Sequence, residues 1–299
     1  MKVQHIIGID MGGTRIKGIV MDMQGRILDK YLTPTNDQDE AWKEAIYLTV
    51  QTLQGRLGQD VPVGISAPGL PAADHRSIAF MPGRLKGLEN FIWGEALNLK
   101  AYVLNDAVAA MLAESRFGAA RGRQHAVLIT LGTGVGGAIL IHGQAYMGLS
   151  QKAGHLGHMV VDDAGDPDVT RMPGSLEECI GNCTLEKRSL GRYSETHDLV
   201  HDYRKGDHFA TWLWLSSVRK LSIGMASIIN ILSPECIILG GGIAEADEAL
   251  FAPLHAFLEL YEWHPGAQRT EIIKAQFSEY SGAIGAACFA AEREGLILG

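Results

Sequence analysis

Two stretches of this chain share one layout, and that layout narrows what the chain can fold into. IIGIDMGGTRIKG (residues 6–18) and AVLITLGTGVGGAILIHG (126–143) each read as an apolar strand, a glycine-rich turn and a second strand. The first fits neither common phosphate-loop pattern: it lacks the G-x-x-x-x-G-K-[ST] spacing, and no G-x-G-x-x-G runs into a helix. Each turn instead folds back as a hairpin, whose amides can cradle phosphate oxygens as a nest does. A third glycine turn, Gly240-Gly241-Gly242, follows the buried-strand run CIIL. Three such turns at strand ends, where backbone can approach a ligand without Cβ interference, point to one shared ligand cleft.

The rest of the chain supplies an α/β frame around these turns. A strand near 26–32 extends the first hairpin, acidic DQDE (37–40) opens an amphipathic helix to about Leu57, and a short strand follows near VPVGIS. A helix near Trp93–Leu97, the strand AYVLN and a helix from Ala107 to Phe117 complete the first half, and after GAARGRQ the pattern restarts at 126. Two lobes are expected, since single cores stop growing at roughly 250 to 300 residues and this chain has 299. The predicted boundaries are a small lobe over 1–118, with a C-terminal helix at about 283–299 packing back on it, and a large lobe over 119–282. A long helix near Phe209–Leu232 ends at Ser233-Pro234.

Charge and composition exclude other classes. A net charge of −8 argues against an extended nucleic-acid surface, so an anionic ligand must be held by local donors. MKVQHIIGID reads as a strand rather than a secretory segment, and the longest apolar stretches read as strands, so a cytoplasmic enzyme without membrane partners is expected. Cys179, Cys183, Cys236 and Cys288 form neither C-x-x-C pairs nor a disulfide framework, and Cys236 and Cys288 read as buried free thiols.

The chemistry concentrates at two aspartates. Asp10 ends the first strand before Gly12, Gly13 and Thr14; it could hold Mg²⁺ directly or through water, or accept hydrogen bonds from the turn. Thr14 adds a hydroxyl and Lys17 a cation toward the outer phosphates of a nucleotide. Asp106 lies where AYVLN ends and a helix begins, the edge at which open α/β sheets keep ligands. It reads either as a helix cap or as the carboxylate that accepts a proton in phosphoryl transfer to a hydroxyl, and the three turns favour the latter.

Read together, GIDMGGTRIKG, SAPG (66–69), NDA (105–107), LGTGVGG (131–137), AGHLGH (153–158), SLEE (175–178), LGGG (239–242) and SGAIGAA (281–287) resemble the ROK sugar kinases, members of the actin-like ATPase superfamily. The resemblance covers nearly the whole chain. It implies a two-lobed actin-like ATPase (RNase H-like) fold with duplicated mixed-sheet lobes and an interlobe cleft, ATP and Mg²⁺ as cofactors, a small sugar as substrate, and a homodimer. Asp106 would be general base; Gly12 to Thr14 and Gly132, Thr133, Gly134 to Gly136 would hold phosphates; Gly241 and Gly242 would lie by adenosine. Gly69, Asn105, Asp106, His155, His158 and Glu177 would line the sugar.

Departures from the family pattern bear on metal and substrate. In its E-x-G-H motif the histidine also binds a structural zinc with three cysteines; here His155 replaces the glutamate, His158 is kept, and Asp168, Thr170 and Ser175 replace the cysteines. Hard oxygen groups make a poor zinc set, so no structural zinc is expected and the stretch is expected to be held by hydrogen bonds. Gly83 replaces an asparagine that reaches the sugar in family glucokinases, and GRLKGLENF resembles zinc-free β-glucoside kinases. Three readings follow: an ATP-dependent kinase of a hexose or hexose derivative, a β-glucoside kinase, or a catalytically silent sugar binder. The family's repressors carry a DNA-binding domain ahead of the first turn, and only nine residues precede Asp10 here. A Rossmann oxidoreductase would need a strand-turn-helix.

Overall fold

The computed structural model describes residues 5–37 and 39–299. Val3 and Gln4 of the predicted first strand, and Gln38 of the acidic run, lie outside them. In chain order the elements are β1 (His5–Met11), β2 (Arg15–Asp22), β3 (Ile27–Pro34), α1 (Trp42–Leu57), β4 (Val63–Ala67), β5 (Leu70–Pro71), β6 (Ile78–Phe80), α2 (Trp93–Leu97), β7 (Ala101–Asn105) and α3 (Asp106–Phe117). There follow β8 (Ala126–Leu131), β9 (Val135–Ile141), β10 (Gln144–Ala145), α4 (Leu176–Ile180), α5 (Leu185–Arg188), α6 (Thr196–Arg204), α7 (His208–Leu232), β11 (Cys236–Gly240), α8 (Glu248–Tyr261), β12 (Glu271–Lys274) and α9 (Ser281–Arg293). The chain divides into two compact units. The first holds the residues up to Arg123 with Gly143–Ala153 and Gln276–Gly299; the second holds Gln124–His142 and Gly154–Ala275.

In the first unit a mixed sheet runs β3-β2-β1-β4-β7. β1 pairs antiparallel with β2 and parallel with β4, which sets Asp10 opposite Lys17 on one side and Ser66 on the other. One part of its core joins Ile7, Ile9 and Ile65 with Trp42, Ile46, Val50 and Leu53 of α1. Helix α9 reaches the strands because two glycines admit it: a Cβ on Gly8 would sit 1.9 Å from the Ala283 carbonyl oxygen, and one on Gly64 1.8 Å from that of Ala286. The predicted opening of α1 differs from the observed one. The helix starts at Trp42 with no side-chain cap, because Asp39 and Glu40 take positive φ (48° and 63°) and Asp37 accepts the Leu85 N–H instead (2.7 Å).

The second unit repeats the plan, with β9, β8, β11 and β12 in that order, the first pair antiparallel and the others parallel. The turn after β8 is shorter than expected. Only Gly132–Gly134 turn; Gly136 and Gly137 already pair with Thr130 and Ile129. Gly137 is needed in the strand because a Cβ there would meet the Gly154 carbonyl at 2.6 Å.

Helix α7, capped by Asp207 accepting the Ala210 N–H, runs 25 residues and buries Leu213, Trp214, Leu221 and Met225 against the core of this unit. By length and composition alone it is apolar enough to cross a membrane, contrary to the expectation that the longest apolar stretches are strands. Half of its apolar window is buried within the protein, which is how a core helix acquires the same composition.

Candidate active site

The first glycine turn is held open from behind. The Gly12 N–H donates to the Arg15 carbonyl (3.1 Å), Thr35 Oγ1 donates to the Gly12 carbonyl (2.7 Å), and the Thr35 N–H donates to the Thr14 carbonyl (2.9 Å). Gly13 and Thr14 are left exposed. Asp10 enters from β1 half-buried; its Oδ1 accepts from Ser66 Oγ (2.9 Å), and a Cβ on Gly282 of α9 would come within 2.4 Å of the same oxygen. Burial pushes the Asp10 carboxyl up, against the Ser66 hydrogen bond and the Lys17 charge. Lys17 itself donates to the Glu279 carbonyl (2.7 Å).

At the β7–α3 junction the sequence left Asp106 as cap or base. The structure gives the cap to Asn105, whose Oδ1 accepts from the Ala107 and Val108 N–H groups (3.0 and 3.3 Å). The same side chain donates through Nδ2 to the Gly69 carbonyl (3.1 Å), which brings Asn105 and Gly69 together. Asp106 follows as the first helical residue, Oδ1 accepting the Ala107 N–H (2.8 Å). Its side chain is open to solvent, yet protein crowds around it. Desolvation in that setting and the Asp10 charge outweigh the hydrogen bonds from Ala107 and Asn105, and the carboxyl is pushed up to about 6.

The second unit brings the other residues together in two groups. Around the second turn, the Gly132 and Thr133 carbonyls accept the Asn182 and Cys183 N–H groups (3.0 and 2.8 Å). Glu177 Oε2 accepts the Val135 N–H (2.9 Å), and a Cβ on Gly134 would lie 2.3 Å from it. Glu177 is therefore built into the glycine turn as well as presented by α4. Gly241 has φ of 85°, and a Cβ there would sit 2.3 Å from the Leu131 carbonyl, so only glycine fits.

Gly132, Thr133 and Gly242 line a cavity of about 300 Å³ with Thr196, Val200 and Arg204. These last three stand on α6, which sequence reasoning missed. Its approach to the glycine turns depends on Asn182, whose Oδ1 accepts from both the N–H and the hydroxyl of Thr196 (2.8 and 2.7 Å), and no local motif announces that contact. The volume lies at the lower end of ordinary small-ligand sites, roughly 300–1,000 Å³.

The second group is the histidine pair and the stretch that replaces the family's cysteines. The rings of His155 and His158 are parallel within 4°, centroids 6.5 Å apart. His158 Nδ1 lies 3.1 Å from Asp168 Oδ2, while Asp168 Oδ1 accepts from the Thr170 N–H, the Thr170 hydroxyl and the Met172 N–H (2.8, 2.7 and 3.0 Å). Burial alone would raise the Asp168 carboxyl, but hydrogen bonds from Thr170, His158, the Met172 N–H and Ser175 hold it well below the usual carboxylate range. This donor set does not fit zinc: the one carboxylate already serves protein donors, and the Thr170 hydroxyl is directed to it. Cys179 is half-buried, Cys183 is exposed, and burial pushes both thiols up, away from the thiolate zinc needs. Among the described residues no group of three or more His, Cys, Asp or Glu is placed to hold a metal. Gly83, where glucokinases of the family carry asparagine, has φ of 86° with open space around it.

The chain is similar along nearly its whole length to known sugar kinases. A glucokinase of Thermotoga maritima is 31% identical over 314 residues, covering 97% of this chain and 98% of that protein. The ROK hexokinase of Thermus thermophilus superposes with a TM-score of 0.86 at 28% identity, covering 97% of this chain and 99% of that one. The ROK family glucokinase of Streptomyces griseus, solved with glucose and AMPPNP, gives a TM-score of 0.81 at 26% identity, over 96% and 99% of the two chains. Its two mixed α/β sheets are those of the actin-like ATPase kinases, and since the ROK family profile matches residues 6–293, the chain belongs to the ROK family.

Proposed function

We propose that this ROK protein is an ATP-dependent sugar kinase that phosphorylates a hydroxyl of a hexose or hexose derivative, with Asp106 as general base. The observation that carries the reading is Asp106 itself: it is released from capping duty by Asn105 and open to a ligand, and its carboxyl is tuned to about 6. A base that titrates near working pH is ionised at neutrality yet still accepts a proton readily. As the sugar oxygen bonds to the γ-phosphorus, Asp106 takes the hydroxyl proton. The bond from the γ-phosphorus to the β–γ bridging oxygen breaks, and ADP leaves with the electron pair.

The other residues position the reactants. Within the two glycine turns the Gly13, Thr14, Thr133 and Gly134 N–H groups serve the phosphate oxygens, the Gly12 and Gly132 N–H groups being used within the turns themselves, and the cavity beside Gly241 and Gly242 takes the adenosine. Asp10 fits Mg²⁺: it is a half-buried carboxylate whose Oδ1 accepts from one neutral hydroxyl, and a divalent cation would offset the cost of its charge. When bound, the ion would neutralise charge on the phosphates. Asn105, Gly69, His155, His158 and Glu177 serve the sugar.

The relatives' names support a sugar substrate: a glucokinase, a hexokinase and a glucokinase solved with glucose. The test is mass spectrometry of products from ATP, Mg²⁺ and a panel of hexoses, N-acetylated hexosamines and β-glucosides. A phosphosugar is expected from at least one hexose or hexose derivative. A protein that binds sugar and ATP but yields no phosphosugar would instead be the silent binder.

A further inference from the structure

His158 faces a carboxylate that is already fully committed. Asp168 lies on the loop between β9 and α4, its side chain only 2% exposed, and three donors from Thr170 and Met172 converge on Oδ1. Oδ2 faces His158 Nδ1 at 3.1 Å, and Ser175 adds a further hydrogen bond to the carboxylate. An ionised carboxylate can only accept hydrogen bonds, so the proton of this contact must sit on Nδ1. In neutral His158 the other nitrogen, Nε2, then carries a lone pair, and the His158 side chain is 37% exposed.

We propose that Asp168 is a positioning residue that holds His158 as its Nδ1–H tautomer, so that Nε2 accepts a hydrogen bond from a hydroxyl of the bound sugar. The inference rests on the sugar-kinase reading and adds to it the direction of one recognition bond. The same carboxylate gathers Thr170, Met172 and His158, so one buried charge both folds this loop and aims the ring. Outer partners that orient a histidine in this way change affinity by roughly 10- to 100-fold when removed from metal sites. A hydroxyl-binding histidine is expected at the lower end of that range.

The test has a spectroscopic arm and a kinetic arm. In protein containing isotope-labelled histidine, with His158→Gln used to assign the signal, nuclear magnetic resonance reads which ring nitrogen bears the proton. The wild type is expected to show Nδ1–H and Asp168→Ala to let the proton move to Nε2; in Asp168→Asn the carbonyl oxygen is held by the Thr170 and Met172 donors, the amide N–H faces His158 Nδ1, and the proton is expected on Nε2. In parallel, Asp168→Ala should raise the sugar KM by about tenfold with the ATP KM unchanged and kcat altered little, and Asp168→Asn, which keeps the loop's Oδ1 hydrogen bonds but turns a donor toward His158, should show the same loss. An Nε2–H signal in the wild type overturns the proposal, as does a folded Asp168→Ala protein with unchanged tautomer and sugar KM. If the alanine variant does not fold, the wild-type signal and the asparagine variant still decide. Absence of kinase activity would leave the tautomer result standing, so failure of the function and failure of the positioning role are told apart.

Discussion

Gly285→Ala sets two physical effects against each other inside α9. By helix propensity the change should help, since alanine is favoured over glycine in a helix interior by about 1 kcal/mol. By packing it should harm: the new Cβ would stand 1.6 Å from the Ala109 carbonyl oxygen and 2.4 Å from its carbon, where ordinary contact begins at 3.4 Å. Relief requires α9 and α3 to part by about 1.8 Å, the difference of those oxygen distances. Both obstacles are backbone, so no side chain can swing aside. Overpacking a tight core costs roughly 1–3 kcal/mol and occasionally more, and a shift of this size belongs at the top of that range. The net expectation is a loss of about 2 kcal/mol, read as a lower denaturant midpoint at unchanged slope. Gly55→Ala in α1 is the control, because its Cβ would meet nothing within 4 Å and only the propensity gain remains. A Gly285→Ala protein as stable as the control would refute the packing argument and with it the account of why α3, and hence Asp106, is held where it is.

Other expectations follow from the site. With Asp106 at about 6, kcat/KM should rise with pH through that value and level off above it, falling about tenfold per unit on the acid side; a profile flat from pH 5 to 8 would exclude this group as the titrating base. Asp168 titrates lower when folded than its ordinary value of about 3.9, so its stabilisation is present above that value and lost as pH falls below it. Asp168→Ala leaves the Thr170, Met172 and Ser175 donors without their charged acceptor and should cost roughly 2–3 kcal/mol at neutral pH, with the gap to wild type narrowing below about pH 4, as measured by urea melts. Gly241→Ala, forced to φ 85° and ψ 170° at a cost of about 1–3 kcal/mol and with its Cβ 2.3 Å from the Leu131 carbonyl, should raise the ATP KM by at least about tenfold and leave the sugar KM unchanged.

What could be read from the sequence was what local periodicity and residue chemistry encode. The two hairpins around Gly12 and Gly132 are fixed by alternating apolar strands and glycines with no helical period after them. The replacement of cysteines by Asp168, Thr170 and Ser175 was also visible, and the structure shows the hydrogen-bonded stretch that chemistry suggested. The errors arose where tertiary contacts override local preference. Asp37 looked like part of a helix start but is taken by Leu85, distant in sequence. Gly136 and Gly137 look like turn residues but lie in β9, and Gly137 is a glycine because Gly154 and Leu156 press on it. The sequence leaves two readings of Asp106, cap or base, and favours the base; the cap of α3 falls to the adjacent Asn105, which composition does not resolve. The contribution of α6 to the nucleotide-side cavity had no signal at all, because its cavity-lining residues are ordinary and only the Asn182 bonds to Thr196 bring it there.

The most direct test of the central claim is sugar-dependent ADP release from ATP and Mg²⁺ by the wild type and by Asp106→Ala, with nucleotide binding followed by calorimetry. The account predicts a rate lowered by at least about 100-fold in the variant, the usual worth of a general base, with ATP affinity little changed. A variant that keeps its sugar-dependent rate while remaining folded would contradict it.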